Sequence, residues 1–249
     1  MTTEQYSLGL EKVDRVSQSF GGGLPKGSVV LLEGGHGSGK SVLTQRFAYG
    51  LASEGTTVSY VSTDRSASGF LSQMESLSYD AVDLLLSERL LFLEADVDTH
   101  EPDGEGRLRG ERDLLSGLLR PSVLWRAEVV IVDELSALLR NDPAFDASIG
   151  EEEADHAMQR VVSRLSRATG AGKTVVLTVD PSAVGEEPLR PLEAVADVYL
   201  ELQTKAVGQD LRKSVLVRRF AGMAHPIEDT IGFSVQQGRG VIIESRTVA

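Results

Sequence analysis

Short apolar runs separated by amphipathic stretches set the rhythm of the first 180 or so residues. Five runs have the length of strands: Ser28 to Glu33, Thr57 to Ser62, Leu90 to Leu93, Val129 to Asp133 and Thr174 to Val179. The fourth, Val-Val-Ile-Val-Asp, is apolar at consecutive positions, as a strand must be when helices cover both its faces. Between the runs the period changes to that of a helix. Residues 42–52 place Leu43, Phe47, Gly50 and Leu51 on one face, and helical patterns recur at 68–77, 81–88 and 109–119. Residues 151–168 begin acidic and end with Arg160, Arg164 and Arg167, in keeping with a helix dipole. The acidic stretch 94–106 has no apolar period and reads as a surface loop; the spacing and closing Glu of a calcium loop are missing.

After Asp197 the helical signals fade. Residues 198–203, 215–220, 231–235 and 241–243 read as hairpin-linked strands that finish the sheet. The expected fold is therefore α/β: a mainly parallel sheet with helices on both faces and antiparallel C-terminal strands. It should form one domain over 1–249, with an N-terminal arm at 1–24 and a C-terminal strand extension at 197–249.

Candidate chemistry enters directly after the first strand. Gly34-Gly35-His36-Gly37-Ser38-Gly39-Lys40-Ser41 spells G-x-x-x-x-G-K-S between a strand and a helix, the context that this motif requires. Glycines let the backbone curl so that successive N–H groups converge on phosphate oxygens. Lys40 supplies a positive charge for the outer phosphates, Ser41 a hydroxyl for Mg²⁺, and the following helix its positive end. The His36 side chain should face solvent. ATP and Mg²⁺ are the implied ligands.

Asp133 closes the most apolar strand. Strand C-termini share one edge of a parallel sheet, so Asp133 should lie beside Ser41 and hold Mg²⁺. Glu134 could polarise a water for attack on the γ-phosphate, or could complement the dipole of the next helix. Asp64 ends the second strand and is another candidate for water activation, with Thr63 as its auxiliary; a strand-end cap is the structural alternative. Thr178 and Asp180 could sense the γ-phosphate, or form a plain turn with Pro181. Arg218 and Arg219 face opposite ways on one strand. One of them, with Arg219 the candidate, could reach a neighbouring subunit's nucleotide.

Composition narrows the partners. A formal charge of −12 disfavours DNA, RNA or anionic lipid as free-standing partners. Lys accounts for only six of 25 basic residues, and low Lys with excess acid suits a salt-rich cytoplasm; an ordinary acidic protein from a G+C-rich genome is the alternative. The absence of Cys rules out disulfides and thiolate metal sites. Residues 1–10 show no secretory pattern and no run has membrane-spanning length, so a cytoplasmic location is expected.

Several stretches together carry a family resemblance. They are Gly22-Gly23-Leu24-Pro25-x-Gly27, the loop at 34–41, Tyr60-Val61-Ser62-Thr63, Asp197-Val198-Tyr199-Leu200 and Ile231-Gly232-Phe233 with the late Gly240. With these the chain resembles the KaiC-like members of the RecA superfamily. Ser41 to Gly50, with Tyr60 to Thr63, make it similar more narrowly to the FlaH (ArlH) family of the archaeal swimming motor, the archaellum. The resemblance implies a RecA-type core, ATP and Mg²⁺ binding, and a homo-oligomeric ring that assembles with a motor ATPase and a membrane-linked scaffold. It also implies slow or absent turnover. RecA-like relatives often end the second strand with a catalytic Glu; Thr63-Asp64 stands there instead, which counts against fast hydrolysis. The competing readings are an actively hydrolysing ATPase, an autokinase and a recombinase-like DNA-associated protein. Acidic residues after Asp133 (Asp142, Asp146, Glu151 to Glu153) oppose the last.

Overall fold

The computed structural model describes residues 4–10, 13–95, 114–120, 123–142, 145, 151–207 and 210–244. Its centre is a nine-stranded sheet. Six strands run parallel: β3 (Val29–Glu33), β4 (Val58–Ser62), β5 (Leu90–Glu94), β6 (Val129–Asp133), β7 (Thr174–Val179) and β8 (Val198–Val207). Then β9 (Asp210–Phe220), β10 (Thr230–Gln236) and β11 (Gly240–Glu244) add antiparallel, giving the order β11-β10-β9-β8-β3-β7-β6-β4-β5. A separate two-stranded ladder pairs β1 (Gln5–Tyr6) with β2 (Leu24–Pro25).

Alternate residues of each parallel strand serve opposite faces. On one side Val30, Leu32, Tyr60 and Ile131 pack under α2 (Lys40–Ser53) and α3 (Ala67–Ser76), together with Leu8, Val16 and Phe20 of the N-terminal arm. On the other side Val29, Leu31, Val130 and Leu177 meet α5 (Leu114–Leu119), α6 (Leu135–Arg140) and α7 (Glu151–Gly170). This two-sided burial is why the core strands read as apolar runs. Short helices at 82–86, 181–184 and 190–195 complete the connections. The expected helix at 109–119 is described from Leu114 onward; its earlier part and residues 96–106 of the acidic stretch lie outside the described residues.

Two features position the site. First, β3 lies between β7 and β8, and the chain leaves it through α2 to reach β4 on the far side of β7 and β6. Such a change of direction opens a crevice at the strand C-termini. Second, β8 runs beyond β3. Glu33 pairs with Glu201, but the β8–β9 ladder continues to Val207 and Asp210, so it rises beside whatever follows Glu33. Among the described residues, no helix is long and apolar enough to cross a membrane.

Candidate functional site

The segment after β3 wraps the start of α2. Gly34 N–H is anchored on the Val179 carbonyl at 3.1 Å, which ties the loop to β7. Gly37 and Gly39 take positive φ values of 74° and 105°, conformations that L side chains resist. A Cβ at Gly39 would also stand 3.0 Å from the Phe233 ring on β10. A Cβ at Gly34 would lie 2.8 Å from both the Leu202 carbonyl and Ser38 Oγ. The loop is therefore braced from outside by the C-terminal strands. Lys213 of β9 completes the brace by donating to the Gly37 carbonyl, and burial lowers its pKa.

Lys40 is buried at the first position of α2. Its ammonium donates to the Gly34 carbonyl at 2.6 Å and the Gly35 carbonyl at 3.3 Å, and lies 3.4 Å from Glu134 Oε2. Ser41 follows, and its hydroxyl donates to Asp133 Oδ1 at 3.2 Å. The strand-end geometry thus brings residues 92 positions apart into contact. Thr178 Oγ1 donates to the same oxygen at 3.0 Å and accepts the Glu134 N–H at 2.7 Å. Tyr60 of β4 donates its phenol hydrogen to Asp133 Oδ2 at 2.8 Å. Burial pushes the Asp133 carboxyl above the ordinary carboxylate range, while the Tyr60, Ser41 and Thr178 hydroxyls favour the charged form.

Glu134 occupies the left-handed region at φ 69°, ψ 60°, rare for a residue with a Cβ and costing roughly 1–3 kcal/mol. Its Oε1 is buried without a hydrogen-bond partner among the described residues, and burial raises its pKa against the pull of Lys40. Glu134 stands at the N-terminal end of α6, as the dipole role requires, and also 3.4 Å from Lys40; its side chain makes no capping bond to α6.

The other candidates divide. Thr63 approaches the Asp133 and Glu134 carbonyls, both at 3.4 Å, and leans on Asp64 Oδ1 at 3.3 Å; Asp64 itself is exposed. Thr178 joins the site through Asp133 and the backbone of Glu134. Asp180 instead accepts from the Ser182 N–H and hydroxyl, capping the helix at 181–184. His36 is exposed. Arg219 is not brought here. It pairs with Tyr199 near the start of β8, and one terminal nitrogen donates to the Glu193 and Ala196 carbonyls at 3.0 and 2.6 Å, which ties the exposed side chain to that end of the sheet. Sequence reasoning gave no site role to Tyr60, Lys213 or Phe233. Tyr60 left a partial signal, a large side chain with a polar tip in the middle of a buried strand that also carries Ser59 and Ser62.

The donor set fits a magnesium nucleotide. A hydroxyl and a carboxylate, both hard oxygen ligands, meet at Ser41 and Asp133, as Mg²⁺ prefers. Buried Ser38 Oγ lacks a partner within the loop, and Lys40 sits at the mouth of a helix N-terminus. Bound there, the metal would supply charge neutralisation between phosphate oxygens.

A phosphate loop after a central parallel strand, with an acid ending the strand two places away, defines a RecA-type P-loop core. A family model described as "ATPase: KaiC" matches residues 7–248, and the chain belongs to that family. It is 28% identical over 239 residues to the archaeal flagellar ATP-binding protein FlaH of Methanococcus voltae, covering 95% of this chain and 96% of that one. The crystal structure of flagellar accessory protein FlaH from Methanocaldococcus jannaschii superposes with a TM-score of 0.82 at 27% identity, over 98% of this chain and 100% of that one. A KaiC-like protein of Pyrococcus horikoshii shares the fold, with a TM-score of 0.68 at 19% identity over 98% of this chain and 100% of that one. The resemblance to KaiC-like and FlaH proteins is borne out, as are the α/β fold and its antiparallel C-terminal strands.

Proposed function

We propose that this chain is an ATP- and Mg²⁺-binding regulator of the archaeal swimming motor, whose nucleotide state governs assembly. In this reading it works as one ATP-binding unit over 1–249. It forms a homo-oligomeric ring and associates with a motor ATPase and a membrane-linked scaffold at the cytoplasmic face, without entering the membrane or binding nucleic acid. The observation that carries the reading is the meeting of Lys40, Ser41, Asp133 and Thr178 at one sheet edge. The names of the FlaH relatives supply the motor. Residues 34–41 would cradle the phosphates, Ser41 and Asp133 would hold the metal, and Thr63 and Thr178 would line the γ-phosphate end. Lys40→Ala should abolish ATP binding, measured by calorimetry in high salt with Mg²⁺, and with it association with the purified motor proteins. Ring formation and partner binding that persist without nucleotide affinity would refute the coupling.

A second reading, active hydrolysis, draws on Glu134. A partly buried carboxylate with a raised pKa beside the phosphate-loop Lys is equipped to orient and deprotonate water. Exposed Asp64, shorter than Glu, is less well placed, which supports slow turnover. If turnover reaches about one per second or more, within the usual enzyme range, Glu134→Gln should remove it and Asp64→Asn should not. No phosphate release with the motor partners present would discard this reading, and the reverse pattern would make Asp64 the base.

A further inference from the structure

Tyr60 is the bulkiest of three buried hydroxyl side chains on its strand, the others being Ser59 and Ser62. β4 is buried along its whole length between two helix layers, and its middle residue carries a hydroxyl. The ring packs against the stacked pair Phe70 and Phe92, at 5.1 and 6.2 Å centroid to centroid, so apolar contact alone would be served by Phe. The hydroxyl has a different purpose. It donates to Asp133 Oδ2 at 2.8 Å and lies 3.0 Å from Thr44 Oγ1, one turn into α2. While Asp133 is ionised it can only accept, so the single phenol hydrogen is committed to it. Within its pair with Tyr60 only Thr44 can then donate, and it shares that one hydrogen with the Ser41 carbonyl, also 3.0 Å away.

This arrangement fixes the Asp133 carboxylate about its own axis. Oδ2 is turned to Tyr60, and Oδ1 is turned to Ser41 and Thr178. Without the phenol hydrogen, Oδ2 would be a buried oxygen lacking a donor, and the carboxylate would gain by rotating toward one. Such a rotation moves Oδ1 off Ser41, the hydroxyl beside which a cation would sit. Thr44, Tyr60 and Asp133 lie on α2, β4 and β6, so the hydroxyl relay also keeps those three elements in step.

We propose that Tyr60 is a positioning residue for the magnesium ion, holding Asp133 in the one orientation that faces Ser41, with Thr44 supporting it. The inference rests on the Mg²⁺–ATP reading above. It predicts a defect in metal use rather than in nucleotide affinity or folding, because outer-shell partners of metal ligands tune metal affinity.

The test is the Mg²⁺ concentration giving half-maximal ATP binding, with ATP binding in EDTA and thermal unfolding measured beside it. Tyr60→Phe keeps the ring and should raise that concentration roughly tenfold or more, leaving the EDTA value and the fold unchanged. Thr44→Val should raise it less, and Thr44→Ser should restore the wild-type value. A Tyr60→Phe shift within about twofold of wild type, below the outer-shell range, would overturn the inference. So would an equal loss of binding in EDTA. Should Tyr60→Phe not fold, Thr44→Val decides: a metal-specific shift supports the relay and none overturns it. A wild-type protein with no Mg²⁺-dependent ATP binding would remove the reading beneath it as well.

Discussion

Arg46 is fully buried, on the same face of α2 as Leu43 and Phe47. A guanidinium there survives only because its donors are matched. Nε and one terminal nitrogen form a fork on Asp14 at 2.5 and 2.9 Å, and the terminal nitrogens also reach the Leu8 and Gly9 carbonyls at 2.7 and 2.8 Å. Asp14 in turn accepts the Val16 N–H at 3.1 Å, opening α1 (Val16–Ser19). One side chain thus fastens the N-terminal arm to the helix that begins at the phosphate loop. Arg46→Met keeps the bulk but leaves a buried carboxylate with only the Val16 N–H and no countercharge, and two carbonyls without their Arg46 donors. Breaking a buried pair from one side costs about 3–5 kcal/mol, whereas replacing both partners with apolar residues is often close to neutral. Urea unfolding should therefore show Arg46→Met strongly destabilised and the double variant Arg46→Met, Asp14→Leu substantially recovered. Equal loss in both would mean that packing of the arm, rather than charge, governs this region.

Elements buried on two faces announced themselves in the chain; those made by pairing alone did not. β3, β4, β6 and β7 lie within a residue of their expected bounds because apolar runs such as Val129 to Val132 have no other stable home. β8 was expected to end at 203 but reaches Val207. Thr204, Lys205 and Ala206 are exposed, and only their ladder with Leu211, Arg212 and Lys213 makes them strand. The helices at 181–184 and 190–195 are too short to show a period, and each carries Pro in its first turn, which reads equally as a loop. The arm's sparse apolar positions Leu8, Val16 and Phe20 are core, a fact set by the distant partner α2. The site divides in the same way. Residues 34–41 and Asp133 were legible because a contiguous motif and the strand-end rule need no knowledge of register. Tyr60, Lys213 and Phe233 reach the site only through pairings between segments far apart in the chain, which no local pattern encodes.

Charge acts on the molecule as a sum. With a formal charge of −12, the folded chain repels itself, and compaction, like closure of the proposed ring, brings like charges closer. Some of the cations are already engaged internally: Lys40 at the phosphate loop, Arg46 on Asp14, Arg218 on Glu201. Raising KCl from about 0.1 to 1 M shortens the screening length from about 10 to about 3 Å, below the spacing of most surface charges. The unfolding temperature should therefore climb with KCl over that range and flatten beyond it, because screening has by then removed what it can. Nucleotide-dependent self-association, followed by sedimentation, should show the same dependence more steeply, since each copy added to a ring brings its own excess of acid. An unfolding temperature that stays level or falls between those salt concentrations would mean that local pairing offsets the acidic excess. The low Lys content would then reflect composition rather than adaptation to salt.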